Sequence, residues 1–393
     1  MTDPHVPQRA PGEAERAEPG PDAWEELASG SPVGFGEGYP SDAPALTGRA
    51  ITLAVSMVTT ALLVAAASVI PLPYAISSPG PTLDTLGSHD GSPLISIAGA
   101  PTYPSTGELR LTTVALAGGD RAPVSLVAFV RGWLDETRTV RPVEQVIPPN
   151  QTGAEIDEQN QAAMTSSQER ATVAALEELG YEIPTTLDIA EVLEGTGAFG
   201  VIEPGDVLVA LDGHRLANFA DLSRRMDAVV PGAAVRIAAD RDGTLVDLDV
   251  TTTDDGTGRA LLGVLVDPEF EMPVQVTIKI ESIGGPSAGL MFALGIIDRL
   301  TETDETGGAR IAGTGTMDLT GEVGPIGGIG QKLIGARDDG AAWFLAPEGN
   351  CSEVTSVPDG LRVVAVATLA EARAAVEAIG AGEADGLPSC PGR

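Results

Sequence analysis

Lysine is nearly missing from this sequence: of 23 basic residues only Lys279 and Lys332 are lysines, against 56 acids and a net charge of −33. So acidic a chain offers no basic face to a phosphate backbone, which excludes nucleic acid as an expected partner and leaves the acidity as a solvating surface. Histidine is scarce too, with His5, His89 and His214 in unrelated settings and no HExxH, so a zinc peptidase is excluded and no metal or other cofactor is expected. Two cysteines, Cys351 and Cys390, are too few for a disulfide framework, and no CxxC pair suggests zinc. No GxxxxGK[ST] loop occurs, so no ATP site is expected. A genome bias can remove lysine in favour of arginine. Even so, a lysine that persists can do what arginine cannot, because only lysine loses its proton near neutral pH when desolvated.

Long apolar runs are likewise few, and one stands out. Ala50 to Ile70, AITLAVSMVTTALLVAAASVI, holds no charge over 21 residues, enough for roughly 30 Å of helix and one hydrocarbon core. Residues 1–48 before it hold eight prolines, nine acids and only Arg9 and Arg16 as bases, and read as a disordered acidic tail. A leader of that length and sign does not fit the short cationic start of a cleaved signal, so 50–70 is expected to be a retained single-pass transmembrane helix. Arg49 before the span, with no base after it until Arg110, favours a cytoplasmic amino terminus and an extracytoplasmic body. In that compartment a Cys351–Cys390 disulfide is chemically allowed.

After a Pro/Gly-rich connector, Gly107–Val130 reads as short strands. Ser167–Leu179 reads as a helix started by a Ser166–Glu169 capping box and stopped at Gly180. Residues 184–252 form a strand-rich run with one helix, FADLSRRMDAV. Pro204-Gly205-Asp206-Val207-Leu208, Asp212-Gly213 and the closing two-strand pattern with Arg241 and Gly243 resemble a bacterial protease-associated PDZ domain. Such domains bind peptides by strand addition, although the loop 195–200, GTGAFG, lacks their Ser-Pro-Ala. Residues 255–380 alternate strand and helix: strand 274–280, helix 287–300, helix 328–339 and helix 369–379, an α/β order.

Two segments there carry chemistry. In Gly284-Gly285-Pro286-Ser287-Ala288-Gly289 a serine sits where a strand turns into an apolar helix. Free amides and the helix dipole could serve an oxyanion there, or the serine could merely cap the helix. A serine needs a base to take its proton. No histidine lies nearby and no GNSGG loop occurs, so a histidine triad would have to borrow His89 or His214. On helical spacing, Lys332 has Ile329, Gly335 and Ala336 as neighbours and faces the core. Lys279 alternates with Val276, Ile278 and Ile280 and reads as a surface residue.

GGPSAG followed about 25 residues later by AGTGTMDLTGEVGPIGGIGQKL is similar to the catalytic core of Lon-type Ser-Lys proteases. Anchor, PDZ segment and protease segment together resemble the membrane-bound Lon-like PDZ proteins of Gram-positive bacteria. That resemblance implies an α/β (α+β) protease domain split into 72–183 and 255–380 by an inserted, mainly-β PDZ-like domain at 184–252, with 381–393 as a tail. It implies Ser287 as nucleophile, Lys332 as general base, Thr314 as the threonine positioning the amine, and Gly285 and Ala288 as backbone groups for oxyanion and substrate. It also implies an ATP-independent serine endopeptidase acting on unfolded or membrane-associated protein segments, and homo-oligomers. Gly284 stands where Lon usually has an acid. The reading from another class is a non-catalytic membrane adaptor whose PDZ module recruits partners.

Overall fold

The computed structural model describes residues 47–89, 91–119, 122–147, 151–280 and 283–390; the acidic tail expected over 1–48 lies, but for its last two residues, outside them. Helix α1 (Gly48–Val69) covers the apolar run; its 22 residues give about 33 Å of helix. One helix near the amino terminus is thus long and apolar enough to cross a membrane.

In chain order the remaining elements begin with β1 (Tyr74–Asp84), β2 (Ile95–Ala98), β3 (Glu108–Ala117), α2 (Leu126–Leu134), β4 (Thr139–Pro142) and α3 (Gly153–Glu178). Next come β5 (Thr185–Val192), β6 (Val207–Leu211), α4 (Phe219–Asp227), β7 (Ala234–Arg241), β8 (Thr244–Thr251), β9 (Val264–Phe270) and β10 (Gln275–Ile278). The last third holds α5 (Gly289–Leu300), β11 (Arg310–Gly313), β12 (Thr316–Met317), β13 (Val323–Gly324), α6 (Ile329–Asp338), β14 (Trp343–Pro347), β15 (Arg362–Val366) and α7 (Leu369–Gly380).

The main sheet runs β15-β14-β11-β3-β1-β4 and joins strands from both ends of the chain. The carboxy-terminal strands β11, β14 and β15 run parallel, and β11 also lies parallel to β3, with Gly313 opposite both Leu111 and Leu345. Helix α5 lies across this sheet. Every residue from Gly289 to Asp298 is buried, as an all-round apolar helix must be. It packs among Leu109, Leu111, Ile311 and Leu345 from the strands, Ala171 and Ala175 of α3, and Ala372 and Val376 of α7.

A second sheet, β8-β7-β6-β5-β9, lies within 185–270 around its own core of Leu187, Ile189, Leu208, Ile237 and Val250. Its first and last strands pair with each other, Thr185 opposite Phe270 and Val192 opposite Val264, so the chain enters and leaves side by side. The motif residues stabilise this unit: Arg241 donates to both carboxylate oxygens of the buried Asp206 at 2.7 Å. Asp212 and Asp242 take positive φ, one residue ahead of Gly213 and Gly243. The sheet continues to Phe270, past residue 252, because β9 alternates in burial and closes against β5.

Three local expectations differ from what forms. Residues 126–130 are helix, not strand: Ser125 caps α2 by accepting from the Ala128 amide. Helix α3 starts 14 residues before Ser167, at a capping box made by Thr152 and Glu155 rather than by Ser166 and Glu169. Its end matches, with Gly180 in the left-handed region at φ 82°. Helix α5 starts at Gly289 rather than at Ser287.

Candidate active site

Ser287 sits between β10 and α5 with its hydroxyl uncommitted to the helix: the N-cap is Ala288, and no side chain caps α5. The loop is held from behind by α3. The Gly285 amide donates to the Asn160 carbonyl at 2.9 Å, and Ser167 Oγ donates to the Pro286 carbonyl at 3.0 Å. Gly285 has φ 92°, which a side chain would strain, and a Cβ on Gly284 would come within 2.8 Å of Asn160 Cβ. The close approach of α3 therefore explains why Gly284 carries no acidic side chain. Asn160 and Ser167 lie more than 100 residues from the loop they brace, and nothing in their own surroundings marks them.

Lys332 is on the first turn of α6. That helix begins at Gly328, whose φ of 73° and closeness to Val114 favour glycine. The loop before it is pinned by Asn350, fully buried, which accepts from the Ile326 amide at 2.8 Å and donates to the Ile326 carbonyl at 2.9 Å. Next to Asn350, Cys351 is joined to Cys390 by a disulfide.

These frames bring three side chains together. Lys332 Nζ lies 2.8 Å from Ser287 Oγ and 2.8 Å from Thr314 Oγ1, and Thr314 Oγ1 lies 2.9 Å from the Ser287 carbonyl oxygen. Thr314 is fully buried and Lys332 is 3% exposed. Among the described residues no carboxylate bonds the amine. Burial alone pulls its pKa from 10.5 to about 8, because a low-polarity site disfavours the ammonium form. Proton accounting gives one consistent arrangement for the neutral amine. Thr314 spends its hydrogen on the Ser287 carbonyl and so must accept from an Nζ–H, which leaves the nitrogen lone pair for the Ser287 hydroxyl hydrogen.

The remaining candidates separate. Lys279 is exposed, just past the end of β10. His214 is exposed in a hairpin. His89 lines the cavity in front of Ser287, a space of about 620 Å³ walled also by Leu83, Leu111, Met164, Ile283 and Ala288. Of the two backbone groups singled out for oxyanion and substrate, Gly285 donates its amide to the Asn160 carbonyl. Ala288 is the N-cap residue of α5. No group of three or more metal-ligating side chains occurs among the described residues.

The span from β10 to α7 holds all three of these side chains. Residues 274–376 match the Lon protease (S16) C-terminal proteolytic domain. The chain is 35% identical over 91 residues to Lon protease of Lachnoclostridium phytofermentans (22% of this chain, 11% of that one). It is 36% identical over 91 residues to Lon protease 2 of Bacillus subtilis (23% and 16%). It is 38% identical over 78 residues to Lon protease 2 of Thermus thermophilus (20% and 10%). The chain therefore spans only a small part of the length of these relatives. Among solved structures, the PDZ domain of an SdrC-like protein from Listeria innocua is similar at 20% identity, covering 21% of this chain and 92% of that one with a TM-score of 0.20.

The Thr314 hydrogen bonds give a first prediction. Thr314→Val keeps shape and removes the hydroxyl, so turnover of a peptide substrate should fall by roughly 10- to 100-fold, as for loss of a neutral hydrogen bond or two. Fold should be retained, as judged by near-UV circular dichroism. Unchanged turnover would show that the threonine has no part in placing the amine.

Proposed function

We propose that the chain is a serine endopeptidase working without ATP through a Ser287–Lys332 dyad, anchored in a membrane by α1, with its body outside the cytoplasm. One observation carries the reading: a buried lysine amine, with no carboxylate bonded to it among the described residues, touches a serine hydroxyl that caps nothing. An adaptor has no use for such a lysine, since burying an unpaired charge destabilises the fold that hosts it.

In the proposed cycle neutral Lys332 takes the Ser287 proton as Oγ attacks a substrate carbonyl. The Ala288 amide and the positive end of α5 hold the oxyanion. The ammonium then protonates the departing amine. Water attacks the acyl-serine by the same route, with Lys332 again as base, and the acid product leaves. Apolar walls from Leu83, Leu111, Met164 and Ile283 favour an apolar side chain beside the scissile bond. The 185–270 sheet serves as a PDZ-like module that holds protein segments for cleavage, a role suited to its strand-rich build. The disulfide supports an oxidising compartment.

The test is a fluorophosphonate probe applied to the whole protein, followed by peptide mass mapping. The adduct should fall on Ser287 and disappear in Lys332→Met. An adduct on a different serine, or turnover that survives Ser287→Ala, would remove the assignment.

A further inference from the structure

Helix α2 has two unlike faces. Toward the body, the Phe129 ring lies 4.7 Å from the Tyr74 ring, and Gly132 is buried so tightly that a Cβ there would stand 3.2 Å from Ile76 and 3.3 Å from Val140. Away from the body, Trp133 is 75% exposed and Leu134 77%, with Leu126, Val127 and Val130 exposed beside them. At about 100° per residue these five fall in one arc of roughly 120°, with Arg131 at its margin. Beyond Ile70, eleven large apolar side chains are exposed among the described residues, and five of them belong to these nine positions. A patch of that density marks a surface that something covers.

The chain path says what covers it. Val124, two residues before α2, bridges to Leu72, whose amide donates to the Val124 carbonyl at 2.8 Å. Leu72 is three residues past Val69, the end of α1. Three extended residues reach at most about 11 Å, and a backbone bridge adds about 5 Å. The head of α2 is therefore tied to within roughly 16 Å of the end of α1, in a bilayer whose headgroup layer alone is several ångströms deep. Charge agrees. In a chain of net −33, the stretch from Asp120 to Arg141 carries four arginines against three acids, so an anionic lipid surface does not repel it.

We propose that α2 is an interfacial helix, with Leu126, Val130, Trp133 and Leu134 seated among the headgroups and first acyl carbons of the membrane that α1 crosses. The inference rests on the anchor reading given above. Tryptophan and leucine on one face with arginine at the edge is the composition that binds at this depth. Its consequence is mechanical. A body held by one tether swivels, whereas one held by a tether and a seated helix keeps a fixed side toward the lipid.

The experiment uses the full chain in vesicles of phosphatidylcholine and phosphatidylglycerol doped with a phospholipid carrying a diazirine near the glycerol end of one acyl chain. After photolysis, lipid adducts are mapped by mass spectrometry, with exposed Leu245 on β8 as the internal background. Adducts are expected both in 50–70 and in 126–134, the latter at least about fivefold above Leu245 and falling to background when Val130, Trp133 and Leu134 are all changed to Ser. Label in 50–70 with only background in 126–134 overturns the α2 inference and leaves the anchor standing. Absence of label in 50–70 overturns the anchor itself. Protein–protein cross-links through 126–134 that grow with protein density, without lipid adducts, would mean that a second copy covers the face and would also overturn it.

Discussion

Lys332→Met should lose at least about 10³-fold in peptide turnover, the scale of general-base catalysis, while becoming more stable at mildly acidic pH. Both effects come from the same burial. Methionine matches the length and flexibility of the lysine stem but has neither lone pair nor charge. In the native protein the amine has a pKa of about 8 against an ordinary 10.5. Because the folded value is depressed, the unfolded chain binds the proton more readily between those limits. The native state thus carries a penalty of about 3 kcal/mol below pH 8, which fades as pH rises to 10.5. Removing the lysine removes that penalty, but it also removes the contacts with Ser287 and Thr314, at about 1 kcal/mol each. Net stabilisation of about 1 kcal/mol at pH 6 should therefore turn into net destabilisation above pH 10. Chemical denaturation of both proteins at the two pH values checks the crossover. The wild-type rate should rise about tenfold per pH unit up to about pH 8 and then level, since the amine must be neutral to accept a proton. Lys332→Arg gives the contrast: it is equally inactive, because guanidinium keeps its proton, and its buried charge is permanent, so the penalty that the wild type loses above pH 8 should persist in it. A variant lysine-free at 332 that still cleaves, or shows no crossover, would mean that the amine is solvated in the working molecule.

How much of this was legible in sequence depends on how local each signal is. The glycines around Ser287, the apolar run of α5 and the small neighbours of Lys332 are all written within a few residues of the groups they position. α3 was half legible. Its buried carboxy-terminal half, from Met164 to Leu176, has an apolar stripe, but Gly153–Ala162 is nearly all exposed and has none. Periodicity has nothing to report there, and the only mark of the true start is the capping pair Thr152 and Glu155. The strand expectation over 126–130 fails for the opposite reason, since α2 forms there. Its valines, Phe129 and Trp133 are strand-forming types, and burial on one side with an apolar face on the other blurs both periods. The supports contributed by Asn160, Ser167 and Asn350 were invisible, because each acts on backbone brought near only by the fold. The same is true of the Gly285 amide, which looks free in sequence and is already taken by Asn160.

Ser287→Ala should abolish turnover, by about 10³- to 10⁶-fold, the range seen when a catalytic nucleophile is removed. The more telling result is the double variant. If Ser287 and Lys332 make one proton-transfer unit, each single change already removes the whole of it, so Ser287→Ala with Lys332→Met should be no slower than either alone. Two unrelated defects would multiply instead, pushing the double variant below both. Stability separates the cases further. Ser287→Ala leaves the Lys332 amine buried with Thr314 as its one partner among the described residues, so this single variant should lose about 1 kcal/mol at pH 6, and adding Lys332→Met should more than restore it. The two residues are 2.8 Å apart, close enough for such coupling. Multiplying rate losses, together with additive stability changes, would mean that the short contact exists in the fold but is not the route of the proton.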